Sequence, residues 1–271
     1  MRPIVALLTD FGSQDHYVGA VKGAVLAACS GATLVDVVHD LPAHDVATAA
    51  FALAASYRAF PGGTVFLAVV DPGVGSQRRS LALEAGGYRF VGPDNGIFTL
   101  VLAEQPQARI HEITNAGLFR YDVSSTFHAR DVFGPVAGRL ANGMPLDQVG
   151  PPVADAVVFQ MEPVRQISPA EWEARVIHVD RFGNLTTNLV KGELDLILAT
   201  VGGDPTEIVA VVEGIVLPFV RTYADMPEGE ACALLGSSGR LEVAVHRGNA
   251  SRLLGANCGA PVRLRTVSVQ G

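Results

Sequence analysis

The sequence predicts a mixed α/β protein, with an N-terminal three-layer α/β domain built on a mostly parallel sheet and a small C-terminal β-barrel domain. Strand and helix patterns alternate through the first half of the chain, and period-two strand patterns dominate the last hundred residues. The chain has 271 residues, of which 49% are hydrophobic and 17% charged. That length and composition allow a sizeable buried core and exclude intrinsic disorder.

The first half reads as a β-α-β-α-β series. Continuous apolar or β-branched runs predict strands, and apolar residues at helical spacing predict helices. In chain order these segments are Pro3–Leu8 (strand), His16–Ala28 (helix), Ala32–Val38 (strand), Val46–Ser56 (helix) and Thr64–Val70 (strand). Such a series implies right-handed crossovers between parallel strands. A hairpin is predicted at Ser80–Glu84 and Tyr88–Gly92, and a helical pattern opens at Ser124 and continues to Leu140.

Alternating strands separated by turn residues characterise the C-terminal part. They are predicted around Ile177 and Val179 and over Ile208–Val212, Ile215–Val220, Leu241–Val245 and Val262–Val267. Only Lys191–Ala199 is predicted to be helical there. The regular patterns break near Pro163, Ser168 and Pro169, so we expect domains over residues 1–160 and 172–271 with a linker at about 161–171.

Charge and cysteine content narrow the function classes. Lys plus Arg number 20 against 27 Asp plus Glu, a net charge of −7, which argues against a nucleic-acid partner. Three well-separated cysteines indicate reduced thiols and a cytoplasmic location. The apolar run at the start is too short for a signal peptide, and no run is long enough for a membrane span.

Acidic residues follow two of the predicted parallel strands. Asp10 comes after the first strand and Asp71 after the third, where ligands bind in open α/β sheets. Asp71 begins a segment with two glycines, which ends in Arg78 and Arg79. Either this loop approaches a ligand closely or the arginines are a solvated pair. It matches neither the dinucleotide nor the Walker fingerprint.

A second acidic and histidine-rich segment offers a metal-binding alternative. It contains Asp36, His39, Asp40, His44 and Asp45, without the H-x-x-x-H or H-E-x-x-H spacing of established metal sites. Turn-capping aspartates and partly exposed histidines are the competing interpretation, and we expect no metal there.

Taken together, the chain resembles the S-adenosyl-L-methionine (SAM) hydroxide adenosyltransferases, which are related to the fluorinase and chlorinase. The matching segments include LLTDFGSQDHYVGAVKG, TLVDVVHDL, GTVFLAVVDPGVGSQRR, VGPDNGIFT, SSTFHARDVFGP, HVDRFGNLTTN and LGSSGRLEVAV, in family order over nearly the whole chain. The resemblance implies an α/β domain joined to a β-barrel, a homotrimer with active sites between subunits, and no cofactor beside the substrate.

The resemblance also implies roles for individual residues. The catalytic set that holds water corresponds to Asp71, Arg78 and His128. The substrate-binding positions correspond to Asp10 (ribose hydroxyls), Phe127 and Phe182 (nucleoside), Asp180 (methionine amino group), Asn184 and Tyr223 (adenine) and Ser237 (methionine carboxylate).

Departures from the halogenase pattern favour water as the nucleophile. The chain has Asp71-Pro72-Gly73-Val74-Gly75 where halogenases carry Tyr-Pro-Ala-Thr-Gly, and His128 has no halogenase counterpart. Ala129 replaces the halide-contacting Ser. Ser238 and His44 replace an Arg and a Trp of the fluorinase, which leaves the carboxylate contact and one pocket wall undefined.

The sequence therefore predicts an enzyme that hydrolyses SAM to adenosine and L-methionine by attack of water at ribose C5′. Three alternatives remain open at this point. They are a halide-using adenosyltransferase, a SAM- or adenosine-binding sensor without turnover, and a metal phosphohydrolase built on the Asp36–Asp45 segment.

Overall fold

A computed structural model describes residues 2–267 of the chain. The chain divides into two compact units, Met1–Phe159 and Gln160–Gly271. The boundary between the two units falls after Phe159, and the sequence analysis places the end of the N-terminal domain at residue 160. Each unit contains its own sheet and its own hydrophobic core.

Unit 1 is built on a sheet of six strands within the described residues. They are β1 (Ile4–Thr9), β2 (Thr33–Val38), β3 (Val65–Val69), β4 (Ser80–Ala85), β5 (Tyr88–Pro93) and β6 (Arg109–Glu112). The spatial order is β2-β1-β3-β5-β4-β6. β2, β1, β3 and β5 pair in parallel, whereas β4 pairs antiparallel with β5 and β6. The mostly parallel sheet is as predicted.

Helices cover both faces of this sheet. They are α1 (Tyr17–Ala28), α2 (Val46–Ser56), α3 (Thr99–Glu104) and α4 (Gly134–Ala141). Because side chains alternate across a strand, β1 directs Val5 and Leu7 toward the core that contains residues of α1 and α4. α2 and α3 pack together and enclose aromatic rings such as Phe66 and Phe90. The three-layer prediction is confirmed.

Two glycines allow α4 to pack closely on α1. A Cβ atom at Gly138 would lie 2.6 Å from the Val25 carbonyl oxygen and 2.8 Å from the Ala28 Cβ. One at Gly134 would lie 3.2 Å from the Ala24 Cβ. A larger side chain at Gly138 would therefore force the helices apart.

The N-terminal end of α4 departs from the prediction. The sequence pattern placed a helix from Ser124 onward, but helical structure begins at Ala129 with a π-helical turn, Ala129–Phe133, which leads directly into α4. The segment before it stays a loop because Asp131 accepts a hydrogen bond from the Ser124 backbone. π-Helical turns are rare and occur frequently at functional sites.

Unit 2 is a nearly closed, antiparallel, barrel-like sheet, which confirms the predicted class. Its strands are β7 (Arg165–Ser168), β8 (Glu171–Val179), β9 (Leu185–Val190), β10 (Ile208–Val212), β11 (Ile215–Pro218), β12 (Ala231–Leu235), β13 (Arg240–Val245) and β14 (Pro261–Thr266). The order is β11-β10-β14-β8-β9-β13-β12, and β7, which lies in the predicted linker, pairs with β8. A bridge between Phe219 and Ala233 joins the region after β11 to β12.

Two α-helices accompany the strands in the part of unit 2 that the structure describes. α5 (Lys191–Ala199) is as predicted, but the expectation that it would be the one helix here was wrong, since α6 spans Ala250–Leu254. The Asn249 side chain caps α6 by accepting from the Arg252 backbone. Five residues are too few for a clear helical period, which is why the pattern escaped detection.

Candidate active site

The parallel sheet of unit 1 brings Asp10 and Asp71 to the same edge. Thr9 at the end of β1 pairs in register with Val69 at the end of β3. The two aspartates follow these strand ends, and both line one cavity of about 350 Å³. Carboxyl ends of neighbouring parallel strands are where α/β proteins bind ligands.

Asp71 and Arg78 form an ion pair that is almost wholly buried. The Arg78 Nε donates to Asp71 Oδ1 at 3.0 Å, and Nη2 donates to Oδ2 at 2.6 Å. Their side chains are 6% and 9% exposed, respectively. Arg78 Nη1 donates to Ser80 Oγ at 2.9 Å, so the guanidinium is fixed on two sides. Two parallel bonds of this kind fix orientation as well as charge.

His128 completes this cluster through the same guanidinium. Arg78 Nη2 lies 2.9 Å from His128 Nδ1. Because a guanidinium donates and cannot accept, Nδ1 must be unprotonated, and the neutral ring carries its hydrogen on Nε2. Burial lowers the pKa of His128, and the positive charge of Arg78 lowers it further, against opposing effects of Asp71 and Asp131. The neutral form is thus favoured at physiological pH.

Two loops meet where the cluster forms. Gly75 has a φ of +78°, and a Cβ atom there would lie 2.5 Å from the Ser125 carbonyl oxygen. Only glycine permits this close approach of the loop after β3 to the loop before the π-helical turn. Asp131 is fully buried and pairs with Arg130 at 2.7 Å. Asp131 also accepts a hydrogen bond from the Ser124 backbone N–H at 2.9 Å, so it fixes the loop that precedes the π-helical turn.

The remaining walls of the cavity are aromatic on one side and polar on the other. Phe127 makes edge contacts with Phe11 and Tyr17 at ring-centroid distances of 6.0 Å and 5.2 Å. On the polar side, the His44 backbone N–H donates to Asp10 Oδ2 at 2.9 Å. His44 adopts a left-handed backbone with a φ of 67°, an uncommon conformation for a residue other than glycine.

A second group of predicted residues lies together in unit 2. Asp180 follows β8 and organises a turn: Oδ1 accepts from the Phe182 and Asn184 backbones, each at 2.9 Å, and Oδ2 accepts from Asn184 Nδ2 at 2.9 Å. Gly183, with a φ of +87°, packs so tightly against Asn249 that no side chain fits. The turn therefore rests on the start of α6.

These residues line a cavity of about 850 Å³ together with Tyr223, Ser237 and Glu242. The Tyr223 hydroxyl donates to Glu242 Oε1 at 2.6 Å. Burial raises the pKa of Glu242, and the nearby Asp180 charge raises it further, although the bond from Tyr223 opposes this. The Ser238 Oγ is buried without a hydrogen-bond partner in the described part of the chain.

The sequence analysis assigned no role to three residues that line these cavities or hold their side chains and loops in place. Ser80 directly follows the arginine pair, Asp131 lies within the quoted SSTFHARD segment, and Glu242 alternates with apolar residues on β13. A carboxylate flanked by buried strand residues was the available signal for Glu242. Nothing in the sequence pattern distinguishes Ser80 from an ordinary serine at the start of a strand.

The segment considered for a metal has other partners. His39 bonds to Thr9 and Asp36, and Asp45 caps α2 through the Thr48 backbone. Among residues 2–267, no three or more His, Cys, Asp or Glu side chains converge as metal ligands would. In the same range, no helix has the length and apolar character needed to cross a membrane.

Comparison with known proteins shows which family the chain belongs to. Models of the N-terminal and C-terminal domains of SAM hydroxide adenosyltransferases match residues 5–150 and 174–263. The chain belongs to the SAM hydroxide adenosyltransferase family. The family resemblance inferred from the sequence motifs is thereby confirmed.

Individual relatives extend over nearly the whole chain. An (R)-S-adenosyl-L-methionine hydrolase from Thermus thermophilus is 41% identical, covering 97% of this chain and all of that protein. The hydrolase of the same name from Salinispora tropica is 37% identical over 97% of each chain. A fluorinase from Nocardia brasiliensis is more distant, at 29% identity over 90% of each chain.

The fold is shared with a solved structure of an uncharacterized conserved protein from Thermotoga maritima. That structure superposes with a TM-score of 0.88 at 34% sequence identity, over 96% of this chain and 99% of that one. The adenosyltransferase fold is thus supported by both sequence and structure.

Proposed function

We propose that this protein hydrolyses SAM to adenosine and L-methionine by attack of water at ribose C5′. The observation that carries the proposal is the buried cluster of Asp71, Arg78 and His128 at the cavity that Asp10 also lines. The relatives named as SAM hydrolases at up to 41% identity support the same activity.

The proposed reaction is a single displacement at C5′ that needs an activated water but no acid to assist the leaving group. A new bond forms between the water oxygen and C5′, while the C5′–S bond breaks with both electrons passing to sulfur. The leaving group is a neutral thioether from a sulfonium cation, so no general acid is needed. One proton is released from water. The difficulty is the nucleophile, because free water has a pKa of 15.7.

The cluster meets this requirement by orienting and polarising water. His128 has its Nδ1 occupied by Arg78, which leaves the Nε2–H group to donate to the water oxygen. The Asp71 carboxylate accepts a hydrogen bond from the water and then its proton. Arg78 fixes both partners and favours a developing hydroxide. Alignment of water, C5′ and sulfur contributes several kcal/mol, on the order of the orientation effects known for intramolecular reactions.

Substrate binding is divided among the other predicted residues. Asp10 takes the ribose hydroxyls and Phe127 lies beside the nucleoside. In unit 2, Asn184 and Tyr223 take adenine, Phe182 contacts the nucleoside, Asp180 takes the amino group, and Ser237 the carboxylate. The clustering of these five side chains at one cavity supports the second set.

We further propose a cytoplasmic homotrimer with active sites at subunit interfaces and no cofactor. Exposed aromatic side chains support the assembly: Tyr121 is fully exposed on the loop leading to His128, and Phe182 is 72% exposed in the unit 2 cavity. The chain has three cysteines, widely separated in the sequence, which supports a reducing compartment. Sedimentation equilibrium tests the trimer, and a monomer at micromolar concentration contradicts it.

Chromatography of the products tests the reaction. Purified protein is incubated with SAM, alone and with chloride or fluoride, and we expect adenosine and methionine in equal amounts under each condition. The nearly buried Asp71 carboxylate repels a halide ion, whereas water donates a hydrogen bond to it. Formation of 5′-halo-5′-deoxyadenosine would replace this proposal with halide transfer. Intact SAM after prolonged incubation would indicate a binding protein without turnover.

A further inference from the structure

Two of the residues that the sequence suggested as metal ligands, Asp36 and His39, belong to a chain of hydrogen bonds behind Asp10. Lys22 on α1 donates to Asp36 Oδ2 at 2.7 Å. Asp36 Oδ1 lies 3.0 Å from His39 Nε2, and His39 Nδ1 lies 2.8 Å from Thr9 Oγ1. Thr9 Oγ1 in turn accepts from the Phe11 backbone at 3.3 Å. We call these four side chains the Asp36–His39 relay.

Donor and acceptor roles along the relay follow from its ends. Lys22 holds the Asp36 carboxylate, whose side chain is 46% exposed. Partial desolvation raises the pKa of Asp36, but hydrogen bonds from Lys22 and His39 bring it below its usual value. An ionised carboxylate accepts only, so His39 Nε2 carries a hydrogen. Thr9 is 1% exposed, and its hydroxyl hydrogen has Nδ1 as an acceptor. A neutral His39 therefore satisfies both neighbours at once.

The relay ends at the peptide units on either side of Asp10. Thr9 precedes Asp10, and its hydroxyl holds the amide of Phe11, which follows it. The Gly12 backbone N–H donates to the His39 carbonyl oxygen at 2.8 Å, so the same residue anchors the turn by its main chain. The His44 amide then fixes the Asp10 carboxylate itself. The turn is thus held at three points from the chain after β2.

From this geometry we propose that His39, supported by Asp36 and acting through Thr9, is a positioning residue that fixes the Asp10 carboxylate for binding of the ribose diol. The inference rests on the proposed function of Asp10 as the ribose-binding acid. His39 touches neither substrate nor reacting atoms. Its loss therefore weakens nucleoside binding more than it slows the chemical step.

The test measures adenosine affinity by calorimetry beside KM and kcat for SAM. For Thr9→Val and His39→Ala we expect a rise of about tenfold in adenosine Kd and in KM, as the loss of one buried hydrogen bond implies. We expect a smaller change in kcat. Thr64→Val is the matched control: this threonine is 2% exposed, bonds to the Pro61 carbonyl oxygen, and lies at the opposite end of the sheet. It should lower stability and leave Kd unchanged.

A double-mutant cycle and a conservative variant separate positioning from general destabilisation. The effects of Thr9→Val and His39→Ala on Kd should be strongly non-additive, because both break one contact. His39→Asn, which retains an acceptor toward Thr9, should restore most of the affinity. An unchanged Kd in His39→Ala, or simple additivity, overturns the inference.

The proposed function and the relay can fail separately. If the unaltered protein releases no adenosine from SAM, the proposed function fails, and adenosine Kd still reports on the relay. If the unaltered protein hydrolyses SAM, and His39→Ala binds adenosine as tightly as the unaltered protein does, only the inference about the relay fails. If His39→Ala does not fold, Thr9→Val still tests for the loss of adenosine affinity, and His39→Asn still tests whether an acceptor at position 39 preserves it.

Discussion

The two cavities differ in what holds their polar side chains. In unit 1, Asp71 and Arg78 come from the loop after β3 and His128 from a second loop, and Arg78 bonds to both of the others, with almost no exposure of the ion pair. In unit 2, Asp180 is held by the backbone of its own turn. In the first cluster, burial and the charge of Arg78 lower the pKa of His128, whereas the amides of the unit 2 turn hold the Asp180 carboxylate in one orientation. The first arrangement suits bond making and the second suits recognition.

Both cavities share one feature that limits this contrast. Each is lined by a single non-glycine residue with a left-handed backbone, His44 in unit 1 and Arg247, with a φ of 53°, in unit 2. Strained backbone is a property of binding loops in general. It is the pattern of charge contacts that separates the two cavities.

The largest expected effect comes from breaking the ion pair of unit 1. Asp71→Asn removes the proton acceptor and leaves Arg78 buried without its counter-charge, so we expect kcat to fall by about 100-fold or more. KM should change much less, and adenosine formation measures both.

Asp155→Asn is the control for this variant. Asp155 also pairs with an arginine, Arg79, at 2.7 Å, but its side chain is 81% exposed. It should leave kcat unchanged. If kcat falls by less than threefold in Asp71→Asn, the proposal that the unit 1 cluster carries out the chemical step is wrong.

A smaller and different effect is expected in unit 2. Asp180→Ala removes three hydrogen bonds from its turn, so KM for SAM should rise about tenfold while kcat changes little. Asp204→Ala is matched to it, because Asp204 likewise accepts from a backbone two residues on, that of Thr206, at 2.9 Å. That control should not alter KM. A drop in kcat as large as that of Asp71→Asn would abolish the distinction between the cavities.

The left-handed residue of unit 1 offers a stability test. His44→Val places a β-branched side chain at a φ of 67°, and the free energy of unfolding should fall by about 1–2 kcal/mol. His44→Gly should cost less, since glycine adopts this conformation freely. Urea denaturation gives both values, and Ala43→Val, one residue earlier, controls for valine itself. Equal losses at all three would show that the His44 backbone carries no strain.

The smallest effect concerns pH. The pKa of His128 is lowered in the folded protein, so its contribution to stability is complete above the unfolded pKa of about 6.5. As pH falls below that value, the unfolded chain takes up a proton that the folded site resists, and the free energy of unfolding declines. His128→Gln should make the urea midpoint less sensitive to pH between 7.5 and 5.5. An unchanged pH dependence contradicts the role of burial and Arg78 at this ring.

The fold was predictable wherever an element produces a periodic pattern. The β-α-β series of unit 1 and α5 were found because their runs are long enough to show a period. β6, β7 and α6, with four or five residues each, were missed because they are too short to show a period. α3, β9 and β12, with five or six residues, were also not predicted. The late start of helix at Ala129 was not predicted, since it depends on the hydrogen bond from the Ser124 backbone to the Asp131 carboxylate, which a sequence pattern does not show.

For the site, the motifs named the residues but not their contacts. Asp71 and Arg78 are close in sequence, and their proximity follows from a short loop. The bond of Arg78 to His128 spans 50 positions and depends on the packing of two loops at Gly75. The Asp36–Asp45 segment shows the converse, because a composition typical of metal ligands serves hydrogen bonding and capping instead. Roles of individual residues remain predictions for the experiments above.

The π-helical turn at Ala129–Phe133 has a consequence for comparing this chain with its relatives. Such a turn holds one residue more than an α-helical turn, and each residue corresponds to about 100° of rotation about a helix axis. Loss of one residue there would shorten the SSTFHARDVFGP segment by a single letter and rotate His128 away from Arg78. When a relative is aligned with this chain, a one-residue gap within Ala129–Phe133 therefore indicates a changed orientation of His128, which a substitution elsewhere does not.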